Sequence, residues 1–100
     1  MLEGRKFDLC RYYSDNISVF VDGTKKNGDL YLILQIVDTI NKDSKYQTFI
    51  FPKDTFKNIC QGHKISWFIQ KYYGLTGITA LINYCKDNNL SYKIVKEKLL

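Results

Sequence analysis

The stretch ISVFVDGTKKNGDLYLILQIVD, residues 17–38, contains two apolar segments separated by a polar turn that carries two lysines. In the second segment, four aliphatic side chains alternate with other residues, which is typical of a β-strand with one face in the core. The pairs Asp22-Gly23 and Asn27-Gly28 have the residue types that tight turns favour. The stretch therefore predicts a hairpin whose second strand is central and presents four residues to the core: Leu30, Leu32, Leu34 and Ile36.

Further strands are predicted on both sides of this hairpin. Residues 5–13, RKFDLCRYY, are rich in aromatic residues, although neither alternating face is decisively apolar. After the polar loop TINKDSK, residues 46–51 return with the strand-like pattern YQTFIF. Because short connections join antiparallel neighbours, the N-terminal half is expected to form a four-stranded antiparallel meander.

From Pro52 onward the pattern becomes helical. Proline cannot donate to a strand ladder, and Asp54 is a favourable N-cap residue for the segment that follows. The apolar spacing predicts one helix over residues 54–74, bent or split at Gly62, and a second over residues 77–89.

The C-terminal segment has two interpretations. Residues 91–96, SYKIVK, alternate like a short strand, but a helical tail that runs through Leu100 is the alternative. The predicted fold class is therefore α+β: an antiparallel four-stranded β-meander followed by one or two helices, with or without a short C-terminal strand.

Length and composition indicate one domain over residues 1–100, because 45% hydrophobic residues in a chain of 100 suffice for a single core. The longest apolar runs are too short to cross a bilayer, and the N-terminal segment MLEGRKFDLC lacks the apolar centre of an export signal. We therefore expect an intracellular protein, in the cytoplasm or the interior of a host cell, without a membrane partner.

Residues with catalytic or metal-binding chemistry are few. Cys10, Cys60 and Cys85 form neither a C-x-x-C pair nor an even set, which favours reduced thiols over a zinc site or a disulfide framework. His63 is the only histidine, and its neighbour Cys60 lies on the predicted core stripe of the helix. A Cys-His nucleophile is therefore the less favoured interpretation, and the sequence predicts a non-enzymatic protein without metal or cofactor.

Nucleic-acid binding fits the pattern better. A sheet with one face covered by helices leaves the other face for bases to stack on, while lysines at its ends meet phosphates. The net charge of +5 agrees with an acidic partner. Aromatic residues in strands and lysines in turns are also common without any such function. The candidate binding residues are Arg11, Tyr13, Phe20, Lys25, Lys26, Asn27, Tyr31, Gln35, Lys42, Lys45 and Tyr46.

The order of these segments resembles the PUR family of single-stranded nucleic-acid-binding proteins, whose repeat is a four-stranded antiparallel sheet followed by a helix. The Whirly and transcriptional positive-cofactor families have a similar arrangement of sheet and helix. The likeness covers residues 16–73, in which Lys25 and Asn27 match the Lys-x-Asn turn of the family and Tyr31 its following aromatic residue. Asp29 stands at the place where the family's basic residue is expected. The resemblance implies single-stranded DNA or RNA as the partner and, because one repeat is an incomplete unit, a homodimer.

A small interaction or inhibitor protein of viral or mobile-element origin is the alternative. The aromatic content of 15% and the lack of a catalytic set suit a chain that binds a host protein. Trp67 lies off the main apolar stripe of the first helix, so it is expected either to face a partner or to form a second buried side.

Overall fold

The computed structural model describes residues 6–99, which form an antiparallel sheet of five strands and a layer of three helices. The sheet has the order β1-β2-β3-β4-β5, and the helices connect β4 to β5. The strands are β1 (Phe7–Tyr13), β2 (Ile17–Lys26), β3 (Asp29–Asp38), β4 (Asp43–Phe51) and β5 (Lys93–Leu99). The helices are α1 (Lys53–Cys60), α2 (Ile65–Tyr72) and α3 (Gly77–Asp87). The α+β class and the antiparallel meander are thus confirmed, and the C-terminal strand that the sequence left open is the fifth strand of the sheet.

The β2–β3 hairpin is confirmed, but its turn is shorter than predicted. Lys26 pairs with Asp29, so only Asn27 and Gly28 form the loop, with φ angles of 53° and 86°. Positive φ at both positions suits a two-residue hairpin loop, and it explains the Asn-Gly pair. The prediction that Asp22-Gly23 also forms a turn is wrong, because both residues lie inside β2 and pair with β3.

A β-bulge explains why the first strand shows no clear alternation. The register between β1 and β2 shifts between Asp8 and Cys10. As a result, Leu9 and Cys10 are consecutive in sequence and yet both are buried, each with 1% of its surface exposed. An extra residue of this kind breaks the period of two that the sequence interpretation requires.

The predicted long helix is split into α1 and α2. Gln61 takes the left-handed conformation at φ 49° and Gly62 follows at φ 81°, which ends α1 before the chain turns into α2. The sequence allowed a split at this glycine, so three helices replace the predicted one or two. The N-cap assignment was wrong: Pro52 occupies that position, and Asp54 lies in the first turn.

The C-terminal segment is a strand, not a helical tail. β5 pairs with β4, with Ile94 opposite Phe49 and Val95 opposite Thr48. The segment that leads into it is fixed by the buried Thr55 hydroxyl, which donates a hydrogen bond of 2.7 Å to the Ser91 carbonyl.

The helices pack on one face of the sheet, which we call the helix-covered face. Leu30 and Leu32 of β3 are fully buried, as predicted, and Leu34 packs half-buried at the margin of the core. The prediction that Ile36 belongs to the core is wrong, because the helices do not extend over this end of β3 and Ile36 packs against no core residue that the structure describes. The strands and helices contribute to one core that includes Leu9, Val21, Leu30, Leu32, Phe49, Phe51, Phe56, Ile59, Phe68 and Leu81. No described residue from the opposite side of the sheet belongs to this core.

We call that opposite side the uncovered face and define it by cross-strand register. It comprises Asp8, Arg11, Tyr13, Ser18, Phe20, Asp22, Thr24, Tyr31, Ile33, Gln35, Val37, Ser44, Tyr46, Thr48, Ile50, Lys93 and Val95.

Gly23 provides a test of the packing between β1 and β2. A Cβ atom added to Gly23 would lie 2.3 Å from Cζ of Phe7, whose ring is itself packed edge-on against Phe68. Replacing glycine by alanine in a strand normally stabilises it, because the unfolded chain loses entropy. Here we expect Gly23→Ala to lower the free energy of unfolding by about 1–3 kcal/mol in urea denaturation, because the ring is forced aside.

The matched control is the same substitution in a Phe7→Ala background. There the added methyl group has room, and the further loss caused by Gly23→Ala should disappear. An equal loss in both backgrounds would show that Phe7 is not the reason for the glycine.

Candidate functional site

The uncovered face, together with Lys26 at its hairpin end, carries seven of the eleven predicted binding residues. Arg11 lies opposite Phe20, Phe20 opposite Gln35, and Gln35 opposite Tyr46, so the four side chains form one row across β1 to β4. Tyr13 belongs to the adjacent row on one side, and Tyr31 belongs to the second row on the other side, beyond the row of Asp22 and Ile33. The structure therefore brings together residues that are up to 35 positions apart in sequence, from Arg11 to Tyr46.

The aromatic side chains on this face are partly exposed, and two of their rings are in contact. Tyr13 is 68% exposed, and its ring packs edge-on against Phe20 at a centroid distance of 5.5 Å. The guanidinium carbon of Arg11 lies 5.4 Å from the centroid of the same Phe20 ring, which is within the range of a cation–π contact. Phe20 is thus held between a ring and a cation.

Two carboxylates on the uncovered face hold Arg11 in place. Its Nη2 atom donates hydrogen bonds of 2.7 Å to Oδ1 of both Asp8 and Asp22. The hydrogen bond to Asp22 raises the pKa of the Arg11 guanidinium above its ordinary value, so the side chain stays charged. The pair of carboxylates fixes the position of the guanidinium and offsets its charge.

The predicted lysines divide between several locations. Lys26 is on the uncovered side of the hairpin, with Nζ 5.3 Å from the centroid of the Tyr31 ring. Lys25 points to the other side, where its Nζ lies 5.5 Å from the Phe56 centroid on the helix-covered face. Asn27 occupies the hairpin loop itself.

The remaining two lysines lie at the opposite end of the sheet. Lys42 is in the loop between β3 and β4 at φ 56°, and Lys45 is opposite Ile36, on the side of the helices. Asp38 organises this loop, because its carboxylate accepts hydrogen bonds from the amides of Ile40 and Asn41. Those hydrogen bonds, chiefly the ones from Asn41, lower the pKa of Asp38. Neither lysine joins the aromatic row.

Sequence reasoning missed two features of the uncovered face. Lys93 is exposed on β5 opposite Ile50, so it extends the row of Tyr31. The sequence did not identify it because its segment had both a strand and a helix interpretation. Four aliphatic side chains also lie on this face: Ile33, Val37, Ile50 and Val95. The apolar second face of LYLILQIVD indicated Ile33 and Val37, whereas Ile50 and Val95 were not identified.

Cys60 and His63 have contacts that differ from those of a nucleophile and its base. The His63 ring stacks on Trp67 at a centroid distance of 4.1 Å, and its backbone amide donates to the Cys60 carbonyl at 2.8 Å. Burial raises the pKa of the Cys60 thiol, although the charge of Lys25 acts in the opposite direction.

Trp67 is half-buried against the core, and Lys71 packs on it, so it forms part of the helix layer.

Acidic residues near the turn act locally. Oδ1 of Asp29 accepts a hydrogen bond of 2.8 Å from the backbone amide of Lys53 and so joins the hairpin to the start of α1. Within residues 6–99, no three His, Cys, Asp or Glu side chains are grouped as metal ligands would be.

Of the helices that the structure describes, none combines the length and the apolar character needed to cross a membrane.

No family model matches this chain, and comparisons with curated proteins and with solved structures give no significant match. The resemblance to the PUR family therefore stays a prediction.

Proposed function

We propose that this protein binds single-stranded nucleic acid, DNA or RNA, on the uncovered face of its sheet. The observation that carries the proposal is the cross-strand row of Arg11, Phe20, Gln35 and Tyr46 on a face that the described helices leave free. Exposed aromatic rings on a sheet are the usual stacking surface for unpaired bases.

The spacing of the row suits successive bases. Phe20 and Tyr46 lie on β2 and β4, two strands apart, which is about 10 Å at the usual strand spacing. Each ring therefore has room for its own base. Gln35 lies between them, and its amide both donates and accepts hydrogen bonds, as the edges of bases require.

Cations adjoin the stacking surface on the side of the hairpin. Lys26 packs on Tyr31, and Lys93 lies in the neighbouring cross-strand position beyond Ile50. In the proposed complex, these two ammonium groups contact phosphates of a strand whose bases occupy the row. Arg11 adds a third cation, held beside Phe20 by Asp8 and Asp22.

The first test removes a stacking ring without removing a strand-forming residue. We expect Tyr46→Thr to weaken binding of labelled oligothymidine and oligouridine by about 1–3 kcal/mol, which is fivefold or more in Kd, in fluorescence anisotropy at low salt. Threonine favours strands, so the fold should be kept, as circular dichroism would show. The matched control is Tyr73→Thr, because Tyr73 is 51% exposed and follows α2, away from the uncovered face. Absence of binding by the unaltered protein, or equal losses in both variants, would contradict the proposal.

The second test uses the carboxylates around Arg11. Asp22→Asn keeps a hydrogen-bond acceptor for Arg11 but removes a negative charge from the face. We therefore expect it to tighten binding of the same oligonucleotides by about two- to fivefold. Asp87→Asn, at the end of α3, changes the net charge by the same amount and is the control. If both variants tighten binding equally, net charge alone is responsible, and Arg11 is not at the site.

A second candidate function, contact with another protein or a second copy of this chain, is favoured by the aliphatic residues of the same face. Ile33 and Val37 of β3, together with Ile50, give the face an apolar strip beside its few charges. Apolar patches of this kind mark protein interfaces. The homodimer expected from the sequence would use this strip, at the expense of the stacking surface.

Sedimentation velocity separates the two candidates. If the face joins two copies, Val37→Lys should convert a dimer to a monomer, whereas Thr79→Lys on the exposed side of α3 should not. A protein that sediments as a monomer over the whole accessible concentration range would contradict self-association and leave the face open for nucleic acid.

A further inference from the structure

A cleft on the helix side of the molecule has a different character from the uncovered face. It has a volume of about 600 Å³ and lies between the end of β2, the last turns of α1 and the start of α2. A volume in this range is typical of small-ligand sites. The residues that line it are Lys25, Phe56, Lys57, Cys60, Gly62, His63, Lys64 and Ile65.

The rim of the cleft is cationic. Lys25, Lys57 and Lys64 line it, and none of the described lining residues is acidic. Among the side chains that the structure describes, those of residues 6–95, no carboxylate lies within ion-pair distance of these three lysines, whereas Arg11 on the other side of the sheet has two. Three uncompensated ammonium groups around one concave surface attract an anion.

The wall of the cleft is apolar. Phe56 and Ile65 contribute hydrocarbon surface, and Lys25 is positioned over the Phe56 ring, with Nζ 5.5 Å from its centroid. Cys60 also lines the cleft and is half-buried, and this burial raises the pKa of its thiol. The cleft thus combines an apolar interior with a charged opening.

The break between α1 and α2 creates this space. Gln61 and Gly62 turn the chain with positive φ, and a Cβ atom built on Gly62 would meet nothing within 4 Å. An unbroken helix over residues 53–72 would carry Lys57 and Lys64 along one rod, whereas the turn places both at the same opening.

We propose that this cleft binds a nucleoside phosphate, with its phosphate groups against Lys57 and Lys64 and its base against the apolar wall at Ile65. A small ligand fits a concave site of this volume better than a macromolecule does. Lysine is a common phosphate ligand, and the partly exposed Ile65 offers apolar surface for a base, whereas the Phe56 ring behind it is buried and covered by Lys25. The site is independent of the uncovered face, because neighbouring residues of β2, Lys25 and Lys26, point to opposite sides of the sheet.

Isothermal titration calorimetry of the full chain with ADP tests the ligand class, with adenosine and inorganic pyrophosphate as separate probes. ADP is expected to bind more tightly than either probe, because each of them uses only one part of the cleft. ¹H–¹⁵N spectra should locate the ADP-induced shifts at Lys25, Gly62 and Ile65. Equal binding of pyrophosphate and ADP, equal binding of adenosine and ADP, or shifts elsewhere would overturn the proposal.

Variants test the role of the lysines. Lys57→Gln and Lys64→Gln are exposed substitutions that should leave the fold intact and weaken ADP binding by about tenfold each. Lys86→Gln, in the last turn of α3, removes the same charge outside the cleft and should have no effect. If Lys86→Gln weakens binding as much, the attraction is only that of the net charge, and the cleft is not a site. The two proposals fail separately. Tyr46→Thr tests oligonucleotide binding on the uncovered face, whereas Lys57→Gln and Lys64→Gln test ADP binding in the cleft.

Discussion

The pairing register of the β2–β3 hairpin determines which side chains of the sheet face the helices and which lie on the uncovered face. The two-residue loop of Asn27 and Gly28 places Val21 opposite Leu34 and Phe20 opposite Gln35. Because side chains alternate along a strand, a slip of one residue would send the aliphatic set of β3 to the solvent and bring Tyr31 under the helices. The burial of Leu30 and Leu32 against the helix layer opposes such a slip, so loop and core select the same register.

The same register gives the protein two surfaces of different chemistry. On one side, the charges near the aromatic row are largely matched, since Arg11 binds two carboxylates. On the other side, the cleft collects lysines with no acidic lining residue among those described. The net charge of +5 is therefore unevenly distributed, and composition alone does not reveal which surface is the more cationic.

Local patterns were sufficient to predict the hairpin, three of the four core residues assigned to β3 and the helical character of the segment after Pro52. The alternation in β3 also placed Tyr31 and Gln35 correctly on the face away from the helices. These predictions succeed because they depend on residues close together in sequence.

Features that arise from contacts distant in sequence could not be predicted. Gly23 resembles a turn residue, yet it lies inside β2. A glycine is found there because the ring of Phe7 leaves no room for a Cβ atom. The sequence pattern predicts a strand that ends before Gly23. The side to which Lys25 points is then undefined, so the sequence does not predict the cleft. The bulge before Cys10 and the pairing of β5 with β4 likewise depend on partners elsewhere in the fold.

The bulge in β1 has a consequence for the behaviour of many copies in solution. β1 and β5 are the two edges of the sheet, and an edge with free amides invites another chain to add a strand. The extra residue between Asp8 and Cys10 interrupts the regular ladder of β1, and three lysines occur along β5, at positions 93, 96 and 98. Irregular and charged edges oppose fibril growth, so a protein with one bare sheet face is still protected from polymerising edge to edge.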